Sequence, residues 1–512
     1  MKTGKKVMIL LLIFVAAVIV YFIHPVGKKE EHGITEYTAM EKAKFPVLYA
    51  TMGDREMAPV FGQTEERGVT ADRGSLIVLP EDRKLKVRFA GTTKIQGLRY
   101  EIRSLDTENL IERTQVTSLD AAINGDSENA VSAELLIQNL LETGKEYLLG
   151  VCASLPDGSE AWYYMRIVEQ DQGHVNEMLA LAEEFSSKTY KYSDAQSLAM
   201  YMETSPGANS SALGTVTLKD TFTQLTWGSL GVERTGEAYT KLKELSGNLA
   251  NVEITTHVTA KDGEKTETYE VTENFTMKWA SQRIYMMDYE RTMNQIFDGG
   301  SEQYSGKRIM LGISDSHGLQ ELRSPNGEYQ AFVVNRELWM YSRTDSQSTR
   351  VFSFRQSETD EMANLQDYGI KLLSAGDDGT VDFLVSGYMS RGSHEGGVGV
   401  SLWRYEKGTN TLTERLYLPA NESSEELLMG MDTLSCLSSS GTLYLLMGNT
   451  VYSVDTASRQ AQVLAEGMTE ENFAVSPGQE RIAWQDGEDL YDSRSVHIMD
   501  LETGKNAQIK AP

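Results

Sequence analysis

The first hydrophobic pattern in the chain has no polar partner. Val7 to Ile23 runs for 17 residues without a charge, an amide or a glycine, between Lys2, Lys5 and Lys6 on one side and His24-Pro25 on the other. As a helix it would span roughly 26 Å, enough to cross a bilayer core. Tyr21 sits near its far boundary, where amphipathic rings are favoured. The run is longer than a signal-peptide core, and no small-x-small cleavage pattern follows it. The expectation is an uncleaved, single-pass anchor over residues 7–26, with residues 1–6 cytoplasmic and the bulk extracytoplasmic; a cleaved signal is the competing reading. The orientation rests on three lysines before the span against Lys28 and Lys29 after it.

Beyond a polar linker at 27–45 the pattern changes to period two. Lys84–Phe89, Leu98–Arg103, Tyr147–Ala153 and Trp162–Ile167 place apolar residues on one face, and Asp157-Gly158 supplies a hairpin turn. Such alternation predicts a β-sandwich-like domain over 46–170. The spacing then becomes helical: Val175, Leu179, Leu181, Ala182 and Phe185 fall close to helical spacing between Gly173 and Ser186, and a shorter helical stretch covers Ser193–Met202. Residues 171–212 are therefore expected to be a helical connector.

The C-terminal half repeats itself. Strand, tight turn and strand recur at Arg323–Phe332, Asp378–Leu384, Ser440–Leu446 and Val475–Trp484, each followed by further short strands, about every 45–55 residues. A unit of that length suits one four-stranded propeller blade. The turns Ser324-Pro325-Asn326-Gly327 and Ser476-Pro477-Gly478 resemble the blade turn of TolB-like (WD40-like) propeller repeats, in which Ser-Pro-Asp-Gly precedes an apolar strand ending in an aromatic. The resemblance covers about a third of the chain. It lies over 320–355 and 470–510, and the other two units lack the Ser-Pro. It implies an architecture and no activity. Strand-like runs at Gly214–Val232, Asn251–Thr259, Tyr269–Lys278 and Arg283–Tyr289 would supply further blades, so the expectation is a propeller of six or seven blades over 213–512. The fold class expected is thus mainly β: transmembrane helix, sandwich-like domain, helical connector, C-terminal propeller.

Composition narrows the partners. The chain carries 74 acidic against 48 basic residues, a net charge of −26, which disfavours nucleic acid and anionic lipid surfaces. Its partners are expected to be the bilayer through residues 7–23 and an extracytoplasmic or membrane protein. Two cysteines, Cys152 and Cys436, make no disulfide framework and read as buried thiols.

Catalytic signatures are missing. There is no His-Glu-x-x-His and no Gly-x-Ser-x-Gly, and Asp377-Asp378-Gly379 lacks the later ligands of a calcium loop. No metal or cofactor is expected. The densest chemistry lies in the glycine-rich stretch 386–399, where Tyr388, Arg391, His394 and Glu395 are the candidate ligand-binding residues. A second candidate, Asp288-Tyr289-Glu290-Arg291, sets charges after an apolar strand. These features predict a membrane-anchored binding or regulatory protein using a propeller as its scaffold. The alternative is a cell-envelope glycan-active hydrolase or lyase with its site in the propeller channel, which would need two facing carboxylates.

Overall fold

A computed structural model of the protein describes residues 33–35, 41–64, 75–121, 129–138, 141–202, 212–262, 265–300, 303–305, 308–314, 319–355, 360–485 and 495–510. The expected anchor, residues 7–26, and most of the linker lie outside them. Among the described residues no helix is long and apolar enough to cross a membrane. The chain is mainly β, with several sheets.

The alternating runs before residue 170 build two five-stranded sheets. One orders Leu76–Val78, Glu160–Val168, Glu146–Ser154, Gly97–Ser104 and Leu110–Val116; the other orders Arg55–Glu56, Val47–Met52, Lys84–Ala90, Val131–Leu136 and Asp120–Ala121. Their apolar faces share one core, where Phe89 meets Tyr163 edge to face at 5.2 Å. That core continues into helix α1 (Gln172–Thr189), whose stripe Val175, Met178, Leu179, Ala182 and Phe185 is fully buried. Asp171 caps the helix by accepting from the Gly173 N–H at 2.8 Å. Cys152 is buried, its thiol pushed up to about 12 mainly by that burial.

Residues 215–295 depart from the expectation of further blades. They form one six-stranded sheet whose main strands, Leu249–Asp262, Lys265–Ala280 and Arg283–Gln295, are far longer than those of the later repeats. The stretch 214–232 holds only Thr215–Thr217 as strand, followed by the one-turn helix Phe222–Leu225. Threonine capping explains the helix: Thr221 accepts from Gln224 N while the Gln224 side chain accepts from Thr221 N. The two faces of the long sheet differ in chemistry. Val252, Ile254, Phe275 and Tyr289 turn into the shared core, with Phe185 of α1 5.7 Å from Phe275. Glu253, Thr255, Thr272, Asn274 and Glu290 alternate with them and carry the polar face.

Four sheets follow, each built from four consecutive antiparallel strands: 321–352, 368–419, 435–465 and 473–510. Gly33–Thr35 adds a short parallel strand to the edge of the first. In each sheet the first turn closes the same way. Gly327, Gly379, Gly441 and Gln479 donate back to Ser324, Gly376, Ser438 and Ser476, all at positive φ. Successive sheets stack through their own cores. In the second, Phe383 points to the first sheet beside Phe352, while Leu384 points to the third beside Leu443 and to Leu427 of helix α2 (Ser424–Thr433). Trp484 and Met499 of the fourth pack on Tyr444 and Val451 of the third.

Among the described residues this makes a row of four blade-like sheets and not a ring of six or seven. The outer face of the first sheet is covered, with Phe297 against Phe332 and Trp339. On the fourth, Ile498 and Ile509 remain 37% and 55% exposed.

Candidate functional site

The glycine-rich stretch is a joint. Tyr388 is buried and donates its hydroxyl hydrogen to the Gly62 carbonyl at 2.8 Å, with its ring 5.9 Å from Phe61. One carboxylate oxygen of Glu395 accepts both the Lys44 N–H at 2.6 Å and the Phe45 N–H at 2.8 Å. Burial raises the pKa of Glu395, and those two N–H groups oppose the rise. Thr64 N donates to the Gly396 carbonyl at 3.0 Å. Gly396 itself lies at φ +79°, where a Cβ would stand 2.5 Å from the Phe45 ring.

Arg391 and His394 turn elsewhere. Arg391 is buried and donates to the Phe354 carbonyl, just past the last strand of the first blade-like sheet. His394 bonds Glu414 at 2.8 Å through Nε2 and stacks on Tyr417 at 3.8 Å. The four expected site residues therefore do not converge on one pocket. Tyr388 and Glu395 hold the N-terminal unit, Arg391 ties the loop to the segment after the first sheet, and His394 braces the second sheet.

The Asp288–Arg291 candidate divides between the two faces of the long sheet. Tyr289 donates to Glu273 at 2.7 Å, and the Ser186 hydroxyl of α1 bonds the other carboxylate oxygen. Arg291 is fully buried, 3.5 Å over the Trp227 ring, and donates to the carbonyls of Leu225 at 2.8 Å and Gln224 at 2.9 Å. Burial raises the pKa of Glu273, opposed by Ser186, Arg291 and Tyr289. This is a structural clamp between sheet and helices.

A large opening lies where the three parts of the chain meet. A cleft of about 900 Å³ is lined from the N-terminal unit by Phe61, Gln63, Tyr164 and Arg166, from the long sheet by Lys241 and Lys243, and from the blade-like sheets by Arg336, Asp367, Tyr388 and Glu425. A smaller cavity of about 190 Å³ continues it, sharing Pro59, Lys241, Arg336, Leu365 and Asp367, and adds Glu253, Glu270 and Asn364. Most of its cations are engaged. Arg166 pairs with Glu146 at 2.7 Å, Lys243 with Glu253 at 3.1 Å, and Arg336 lies 3.8 Å from Glu270 while donating to the carbonyls of Gln366 and Asn364. Burial raises the pKa of Glu270, with Arg336 opposing.

His257 ties the long sheet to the strip between the first two blade-like sheets. Its Nε2 is 2.8 Å from the Asn364 amide nitrogen and its Nδ1 3.5 Å from Glu361. Burial, with Arg355 nearby, lowers the imidazole to about 4. Neutral His257 therefore accepts from Asn364 through Nε2 and keeps its proton on Nδ1, toward Glu361.

The cleft residues come from segments about 300 positions apart, so no local motif announces them. The alternation Tyr239-x-Lys241-x-Lys243 is the one local trace, marking a strand with a polar face. Among the described residues no group of three or more His, Cys, Asp or Glu is placed to hold a metal ion.

No protein family matches the sequence, and no curated protein does. Among solved structures the chain is similar to dipeptidyl peptidase 4 of Porphyromonas gingivalis, at 9% identity and TM-score 0.25, over 56% of this chain and 47% of that one. It thus spans about half of that peptidase's length. It is also similar to an oligogalacturonate lyase in complex with manganese, at 8% identity and TM-score 0.20, over 55% of this chain and 86% of that one. A Vibrio parahaemolyticus oligogalacturonate lyase gives 5% identity and TM-score 0.19, over 55% and 86%. Likenesses this slight assign no activity.

Proposed function

We propose that this chain is a membrane-anchored, extracytoplasmic binding or regulatory protein, held by Val7–Ile23 and using its blade-like sheets as an interaction scaffold. The observation that supports this reading most is the junction cleft. One opening touches all three parts of the chain, so a ligand bound there that favours one arrangement of them would shift how they sit on one another. Its partner is an extracytoplasmic or membrane protein, and no nucleic acid suits a surface of this charge.

The enzymatic alternative needs two carboxylates about 5–10 Å apart across one pocket. Glu253 and Glu270 line the same small cavity. However, Glu253 stands opposite Asn274 and Glu270 opposite His257, four residues apart along the strand. That is roughly 13–14 Å of strand between their backbones, so the two side chains would have to lean toward each other to act as a hydrolytic pair. Arg391 and His394 line neither cavity.

Crosslinked capture of the full chain from intact membranes tests the binding reading. Recovery of one stoichiometric membrane partner is expected, and a variant lacking residues 1–26 should leave the membrane fraction. A full-length chain that washes off membranes, or that captures nothing, counts against it.

A further inference from the structure

We infer that the chain is a hinged clamp: the N-terminal unit and the long sheet make one jaw, the blade-like sheets make the other, and Glu395 seated on Lys44 and Phe45 is the latch that holds them closed over the cleft. The inference rests on the binding reading above and names how that site is regulated.

The apolar cores draw the two jaws. One continuous core joins both five-stranded sheets, α1 and the long sheet, and among the described residues no blade residue belongs to it. The blade-like sheets pack through cores of their own. No sheet passes from one jaw into the other, apart from the linker strand Gly33–Thr35 on the edge of the first blade. Where the jaws meet, hydrogen bonds recur: Tyr388 on Gly62, Glu395 on Lys44 and Phe45, Thr64 on Gly396, and Asn364 with His257. Phe61 adds an apolar contact to the core of the second and third sheets. A boundary of this kind, interrupted by a cleft of about 900 Å³, lets two compact bodies move as units.

The pivot is where the chain itself crosses. The long sheet ends at Gln295, and two residues later Phe297 is buried against Phe332 and Trp339 while its N–H donates to Asn335 at 3.0 Å. Gln295 N also donates to the Gly312 carbonyl, and Ser314 N to the Asn294 side chain, both at 2.8 Å. The latch has no such covalent tie. One carboxylate oxygen holds two backbone N–H groups, and it can let go without opening either apolar core. The cleft is lined both by Arg336, next in the chain to Asn335 of the pivot, and by Tyr388 of the latch.

The latch segment belongs to the first jaw and begins where the linker ends. The Thr93 hydroxyl donates to the Lys44 carbonyl and the Tyr163 hydroxyl to the Pro46 carbonyl, at 2.5 and 2.6 Å. Whatever pulls on or binds the linker therefore loads the Glu395 contact first. By linkage, a ligand that favours the closed jaws makes that contact harder to release.

The test is a spin-label distance measurement on the full chain in detergent, in a Cys436→Ser background that leaves the buried Cys152 in place. Labels at Ser246→Cys and Glu425→Cys, exposed residues on opposite walls of the cleft, report between the jaws; labels at Glu425→Cys and Glu480→Cys report within the blade jaw. Glu395→Ala should raise the ratio of open to closed distances about tenfold for the first pair, because two hydrogen bonds to one carboxylate are lost, and leave the second pair unchanged. Glu395→Gln, whose amide oxygen can accept both N–H groups, should restore the closed distance. Tyr388→Phe should shift the first pair in the same direction as Glu395→Ala. If Glu395→Ala and Tyr388→Phe both leave the first pair unchanged, or both broaden the two pairs equally, the proposal is overturned. That result alongside recovery of a membrane partner removes the hinge and leaves the binding reading standing.

Discussion

The hydroxyl of Tyr388 and the carbonyl of Gly62 meet at 2.8 Å across 326 positions of sequence, within a buried contact between the second blade-like sheet and the N-terminal unit. With Glu395 on Lys44 and Phe45, and Gly396 on Thr64, it makes the joint of the molecule a row of backbone hydrogen bonds and not a salt bridge.

Breaking that row should be measurable. Tyr388→Phe leaves the Gly62 oxygen buried without its donor and should cost about 1–3 kcal/mol. Gly396→Ala acts through shape, forcing a Cβ against Phe45 at a φ that L-residues avoid. Both variants should speed limited proteolysis between residues 41 and 64 without changing far-UV circular dichroism. Unaltered proteolysis in both would mean that the joint does not hold the two parts together.

Arg291 gives a second measurement. Arg291→Met removes the donors for two carbonyls and the cation over Trp227, and it deprives Glu273 of a neighbouring positive charge. A loss of about 3–5 kcal/mol is expected in denaturant unfolding, as for other broken buried charge clusters. Arg291→Lys should recover only part of it, because a single ammonium cannot serve both carbonyls in the fork geometry.

The His257 contact predicts a pH dependence with a definite sign. The folded state holds this imidazole near 4, against an ordinary 6.5. Above pH 6.5 both states are neutral and the contribution is complete; between 6.5 and 4 the unfolded chain takes up the proton first, so stability falls as pH falls. Over that window the loss reaches about 3 kcal/mol, at 1.36 kcal/mol per unit. Glu361, raised by burial, works in the opposite direction, and Arg355, Asp360 and Asn364 complete the surroundings. His257→Gln should therefore flatten the fall measured by urea unfolding between pH 7.5 and 4.5. An unchanged slope would place the titration elsewhere.

The last sheet tests the open row. Met499→Ala should cost about 2–5 kcal/mol, because Met499 is buried against the third sheet. Ile498→Ser, on the exposed face of the same strand, should stay within about 0.5 kcal/mol. A large cost at Ile498 would show that something covers this face in solution.

Much of this architecture is written locally. The run at Lys84–Phe89 alternates because one face is buried, whereas Tyr147–Ala153 and Trp162–Ile167 are buried on both faces and read as nearly continuous apolar runs; Ser324-Pro325-Asn326-Gly327 marks its turn because Gly327 sits at positive φ. Residues 251–289 misled for a physical reason: strand periodicity gives the face but not the number of neighbours, so a long meander and a set of blades look alike. The glycines of 386–399 suggested close approach by a ligand, whereas what approaches closely is the chain itself at Phe45 and Gly62. The cleft was illegible, since its lining is assembled from segments about 300 positions apart.

The span of the joint also orders events in time. The strands of the two five-stranded sheets are all made before residue 170, so these sheets can pair while the rest of the chain is still emerging, although α1 and the long sheet complete their core later. Phe61 and Gly62, however, wait for Tyr388. Contacts this distant in sequence form late, because the loop they close must first be paid for in entropy. Until then an apolar edge around Phe45 and Phe61 stands uncovered, and a chain stalled before residue 388 would be the form most prone to aggregate.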